Sequence, residues 1–70
     1  MRYLVIVEKG PTSFGAYVPD LPGCIAVGES REDTLASMQE AIELHLEGLK
    51  EVGQSAPEPA SSSAFLEVAT

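Results

Sequence analysis

Residues 30–52 hold the only long run of helical periodicity in the sequence, and every other segment has to be read as something for that helix to pack on. Leu35, Met38, Ile42, His45, Leu49 and Val52 recur at alternating spacings of three and four, which places them on one helix face. Ala41 and Leu46 widen this stripe. Glu32, Gln39, Glu40, Glu43, Glu47, Lys50 and Glu51 occupy the opposite side. Ser30 reads as the N-cap, with Asp33 three residues on as the acidic member of a capping box. Gly53 follows the last periodic residue and suits a left-handed C-cap. The helix would run for about 22 residues, or roughly 33 Å at 1.5 Å per residue. Its apolar stripe needs a partner, and short strand-like runs are the candidates.

Residues 2–8 are rich in Val, Ile and Tyr and predict the first strand. Tyr3, Val5 and Val7 share one face, and Leu4, Ile6 and Glu8 the other. Both faces are mostly apolar, as in a strand covered on two sides, and a partner subunit is one source of the second cover. Lys9, Gly10, Pro11 and Thr12 form a turn, so residues 14–18 return antiparallel as the second strand. Phe14, Ala16 and Val18 share a face, and Gly15 marks a bulge or a close approach.

Pro19, Asp20, Leu21, Pro22, Gly23 and Cys24 give the sharpest local signal. Two prolines fix backbone angles, and the Pro22-Gly23 pair fits the central positions of a type II turn. Leu21 between them is expected to anchor the loop on the core. Residues 24–28 predict the third strand, with Ile25 and Val27 on one face and Cys24 and Ala26 on the other. Residues 53–63, built of Ser, Ala and Pro, predict a linker more mobile than its flanks. Residues 64–69 resume a strand pattern, with Leu66 and Val68 on one side and Phe65 on the other. This terminal strand joins the sheet edge of its own chain or pairs with another subunit. The expected order is β-β-β-α-β over a single domain, 1–70. That is an α+β fold with one long helix packed on a small antiparallel sheet.

Seventy residues with one cysteine build a marginal core without the usual staples, so a homodimer or higher homo-oligomer is expected. Four Lys and Arg stand against eleven Asp and Glu, for a net charge of -7. That balance opposes direct DNA binding and anionic membranes and suits a small basic protein partner. No export signal is visible and the single cysteine suits a reducing compartment, so the expected location is cytoplasmic.

The run Ala16-Tyr17-Val18-Pro19-Asp20-Leu21-Pro22-Gly23-Cys24, followed by Gly28-Glu29-Ser30 and Ala41-Ile42, resembles the HicB-like antitoxin family. Members open with a hydrophobic strand, continue with a Pro-Asp-Leu-Pro-Gly-Cys loop and follow it with a helix. The resemblance covers residues 1 to about 52. It implies a partial ribonuclease-H-like fold and a protein-binding module that neutralises a small basic toxin of the HicA type, which cleaves messenger RNA. Many members carry a C-terminal DNA-binding domain. No such segment follows in these residues, so autorepression by operator binding is not expected. A second reading is a solitary HicB-like scaffold or oligomer domain with a non-toxin protein partner.

The candidates for chemistry are few. His45 lies on the apolar helix face and reads as a packed or rim histidine, because no second ligand sits at metal spacing. Cys24 reads as a small strand residue rather than a nucleophile activated by His45. Asp20 reads as turn chemistry. Glu8, Glu29 and Glu67 fall at strand ends, not clustered as a ribonuclease-H-like metal site requires. Neither an enzyme activity nor a cofactor or metal is expected. Glu40, Glu43 and Glu47 run along one helix edge, where like charges oppose each other by a few tenths of a kcal/mol per pair. They form either a solvated face or an acidic strip that steers the basic partner, and they are the expected partner-binding residues.

Overall fold

Three short strands and one long helix carry the regular structure of the computed structural model, which describes residues 1–70. β1 spans Ile6–Lys9, β2 Phe14–Tyr17, β3 Ile25–Gly28 and α1 Arg31–Glu51. The sheet is antiparallel in the order β1-β2-β3. Its register aligns Val7, Ala16 and Ala26 across the three strands, and Ile6, Tyr17 and Ile25 one residue away. Adjacent residues point to opposite faces, so the first row lies under the helix and the second faces away. Accordingly Ala16 is buried, whereas Tyr17 and Ile25 are exposed.

The helix begins and ends as its sequence demands. Ser30 accepts from the amide of Asp33 at 3.0 Å. Asp33 therefore answers the cap through its backbone, without the carboxylate half of a capping box. At the other end Gly53 adopts φ 75°, its amide donates to Lys50 O at 3.1 Å, and the Gln54 amide donates to Leu49 O at 2.8 Å. That double bond pattern is a Schellman C-cap. Val52, expected on the stripe, is the C-cap residue and is exposed.

The buried core consists of Ala16, Val18, Leu21, Cys24 and Met38. Thr34 is also fully buried. Its hydroxyl donates to Ser30 O at 2.7 Å, which removes the cost of hiding it. Gly28 makes this approach possible: a Cβ there would sit 2.6 Å from Thr34 Oγ1 and 2.9 Å from Thr34 N. The sheet end pulls the first helical turn inward, so the buried face runs through Thr34 and Met38. Of the stripe residues Leu35, Met38, Ile42 and Leu49, expected to be buried against the sheet, only Met38 is buried; the other three are half-buried. The helix rests on β3 and β2 rather than on β1.

Two expectations at the chain ends need correction. Residues 2–5 are not strand, because β2 ends at Tyr17 and its continuation turns into the proline loop, leaving them no neighbour. Residues 64–69 form no strand either: they pair with nothing in their own chain, and Phe65, Leu66 and Val68 are exposed. The order within one chain is therefore β-β-β-α, with the α+β class unchanged. Residues 53–63 are irregular, as expected of a linker, but they are fastened to the body. Tyr3 Oη donates to Pro57 O at 2.6 Å, and Asp20 holds residues 60 and 61.

Candidate partner-binding surface

The proline loop is two turns in succession. The Leu21 amide donates to Val18 O at 3.1 Å, and the Cys24 amide donates to Leu21 O at 3.1 Å. Pro22 and Gly23, with φ 84° at the glycine, occupy the centre of the second turn, which suits a type II turn. The Val18 amide closes the loop on Cys24 O at 3.3 Å. Leu21 is fully buried, so the loop is anchored by its apolar residue. Pro19, Pro22 and Gly23 stay at the surface.

Asp20 does more than shape a turn. Its Oδ2 accepts from the amides of Ala60 and Ser61, each at 3.0 Å, and its Oδ1 accepts from Ser61 Oγ at 2.9 Å. The Ser61 amide, the Ala60 amide and the Ser61 hydroxyl, in that order, hold its carboxyl below the usual carboxylate range. A carboxylate that accepts several hydrogen bonds is stabilised in its charged form. Sequence reasoning missed this role, since the partners lie 40 and 41 residues away.

No catalytic pair is assembled. Cys24 Sγ is buried against Met38 Sδ at 3.9 Å, and burial pushes its thiol pKa up, away from the reactive thiolate. His45 lies seven residues further along the helix, roughly 10 Å by axial rise. Nor do Glu8, Glu29 and Glu67 converge: no three His, Cys, Asp or Glu side chains gather in metal-binding range.

Glu40, Glu43 and Glu47 are all exposed on the outer side of α1. Gln39 Nε2 donates to Glu43 Oε2 at 3.1 Å and steadies one of them. Leu44 stands on the same ridge, four residues after Glu40 and three before Glu47, and is 69% exposed. Sequence reasoning missed it, although an apolar residue off the buried stripe is a readable signal. A second exposed apolar group, Tyr17, Ile25 and Val27, lies on the sheet face away from the helix. No helix of the protein is long and apolar enough to cross a membrane.

A loop-anchored sheet and one covering helix, with exposed acidic and apolar surfaces, make a small α+β module. The model of the HicB-like antitoxin of bacterial toxin-antitoxin systems matches residues 3–68, and the chain belongs to that family. A UPF0150 protein of Thermoplasma acidophilum is 34% identical over 81% of this chain and 84% of its own length. Antitoxin HicB 2 of Photorhabdus laumondii is 33% identical over 97% of this chain. The chain spans 50% of that antitoxin, 43% of an uncharacterized 14.9 kDa protein of Haemophilus phage HP1 and 62% of a UPF0150 protein of Helicobacter pylori. Among solved structures, a chain of a HicA3 and HicB3 toxin-antitoxin complex superposes with a TM-score of 0.71. It is 30% identical, over 86% of this chain and 70% of that one.

Proposed function

We propose that this protein is an antitoxin-type binding module that neutralises a small basic, mRNA-cleaving toxin of the HicA type by protein contact, without an enzymatic activity of its own. The observation that carries the reading is the exposed ridge of Glu40, Glu43, Leu44 and Glu47 in a chain of net charge -7. Membership of the antitoxin family and likeness to a chain from a toxin-antitoxin complex support it. The three carboxylates govern encounter, because complementary charge chiefly raises the association rate and loses force with salt. Leu44 supplies apolar contact at the centre of the ridge. With four Lys and Arg in the chain, these 70 residues offer little to phosphate, and we propose no direct DNA contact from them.

The test is to look for a small basic protein encoded in a neighbouring reading frame and to measure its binding kinetics with this chain. Replacing Glu40, Glu43 and Glu47 together by Gln should slow association and flatten its salt dependence, with the fold intact. Leu44→Ala should act mainly on dissociation. A triple variant with the parental rate and salt slope would move the site elsewhere. Co-purification with a partner that is not basic would favour the scaffold reading. Tight operator binding by the protein, with no basic partner, would sink the antitoxin reading as stated.

A further inference from the structure

Residues 57–61 lie against the body of the molecule as a peptide lies in a binding groove. Pro57, Pro59 and Ser61 are half-buried, while Glu58, Ala60 and Ser62 are exposed. That alternation belongs to an extended segment with one side on a surface. The segment is part of no helix or sheet. Side chains of the body hold it at both ends. Tyr3 Oη donates to Pro57 O at 2.6 Å, and the Asp20 carboxylate accepts from the Ala60 and Ser61 amides and the Ser61 hydroxyl. The two holds are four residues apart along the segment, roughly 12 Å at 3.1 Å per residue.

These contacts select for a pattern. The prolines fix φ, and Ala56 and Glu58, each followed by a proline ring, are pushed to extended backbone. The segment therefore reaches its seated shape with little ordering cost. At the other end Asp20 takes two consecutive amides and a hydroxyl. Proline, which has no amide hydrogen, fits neither of those positions, and the second needs a hydroxyl. The pattern read is Pro-x-Pro-x-Ser, with the intervening side chains turned outward. None of these contacts depends on the segment being part of the same chain. All of them are polar and none is fully buried, so they open at low cost.

We propose that the groove between Tyr3 and Asp20 is a recognition site for extended Pro-x-Pro-x-Ser segments, and that residues 57–61 occupy it as an internal, autoinhibitory ligand. The external partner is a segment of another protein with that pattern, which enters when the chain's own segment lifts. The seated segment states the chemistry of the occupant: a carbonyl for Tyr3, two consecutive amides and a hydroxyl for Asp20, and prolines facing the body. Preformed extended proline segments are a recurring class of peptide ligand for this reason. The ridge at Glu40, Glu43, Leu44 and Glu47 takes no part, so this proposal stands apart from the toxin-binding one.

The test uses the full chain and a capped synthetic peptide with the sequence of residues 55–62. A variant with Pro57→Gly, Pro59→Gly and Ser61→Gly should empty the groove and leave its walls unchanged. In amide correlation spectra of this variant the peptide should shift Tyr3, Asp20 and Leu21 saturably at millimolar concentration. With the parent the apparent affinity should be weaker by about tenfold or more, because the chain's own segment competes. Excess peptide should also lower the exchange protection of the parent's Ala60 and Ser61 amides. A control peptide carrying Pro57→Ala, Pro59→Ala and Ser61→Ala should do neither. An equal response to the control, shifts that map away from Tyr3 and Asp20, or no saturable shift in a variant that keeps its helical circular dichroism would each overturn the site. If the variant unfolds, the protection of Ala60 and Ser61 in the parent decides. Isotope-filtered contacts from Pro59 of one copy to Tyr3 of another would make a second copy the occupant and overturn the proposal as stated.

Discussion

Asp20 joins two parts of the chain that nothing local in the sequence connects. Its carboxylate takes the amides of Ala60 and Ser61 and the Ser61 hydroxyl, and these lower its pKa. A depressed folded-state pKa means that the contribution is fully present above the ordinary carboxylate value and is lost as pH falls through the folded one. The Ala60 and Ser61 amides should therefore lose exchange protection in acid, at a pH below ordinary carboxylate titration, while the helix amides hold. Asp20→Ala should remove that protection at neutral pH. Unchanged protection in the variant would show that the clip is not what fastens the segment. Leu21 and Gly23 in the same loop were legible from sequence, because a buried leucine and a positive-φ glycine obey local rules. The clip was not legible, since an Asp in a proline turn looks the same whether or not a distant amide reaches it.

At the scale of elements, the helix was the legible part. Its cap at Ser30 and its left-handed glycine at Gly53 lie where the sequence put them, because both are local backbone chemistry. Its facing was legible only in part. Thr34 displaces Leu35 as the buried residue of the first turn, because Gly28 admits it and Ser30 O satisfies its hydroxyl. A threonine four residues after its own acceptor carries that signal faintly. The consequence is a graded core. Met38→Ala should cost about 2–5 kcal/mol, as truncation of a fully buried side chain does. Ile42→Ala, at a half-buried position, should cost less. Denaturant melts giving Ile42 the larger loss would mean that the helix is rotated from this facing. The strand ends were the least legible, since a strand exists only where a neighbour pairs with it. Neither residues 2–5 nor 64–69 find one within the chain.

The whole molecule buries 6 of its 70 residues, too thin a core to stand far above unfolding by itself. If two copies associate, association stabilises the folded state by mass action, and the melting temperature should rise with protein concentration. A melting temperature independent of concentration would separate folding from assembly. The exposed ridge on the helix, by contrast, was legible in its acidic residues, and Leu44 became visible only once the buried side of the helix was known. The clip at Asp20 also bears on how far the terminal residues can reach. With Ser61 fixed, Phe65 is four backbone steps away, a tether of at most roughly 14 Å. Release of the clip moves the nearest fixed point back to Pro57, eight steps away, and doubles the tether. Effective concentration near the body falls as about the −3/2 power of tether length, roughly threefold for such a doubling. Protonation of one loop carboxylate should thus lengthen the tether of the terminal residues about twofold.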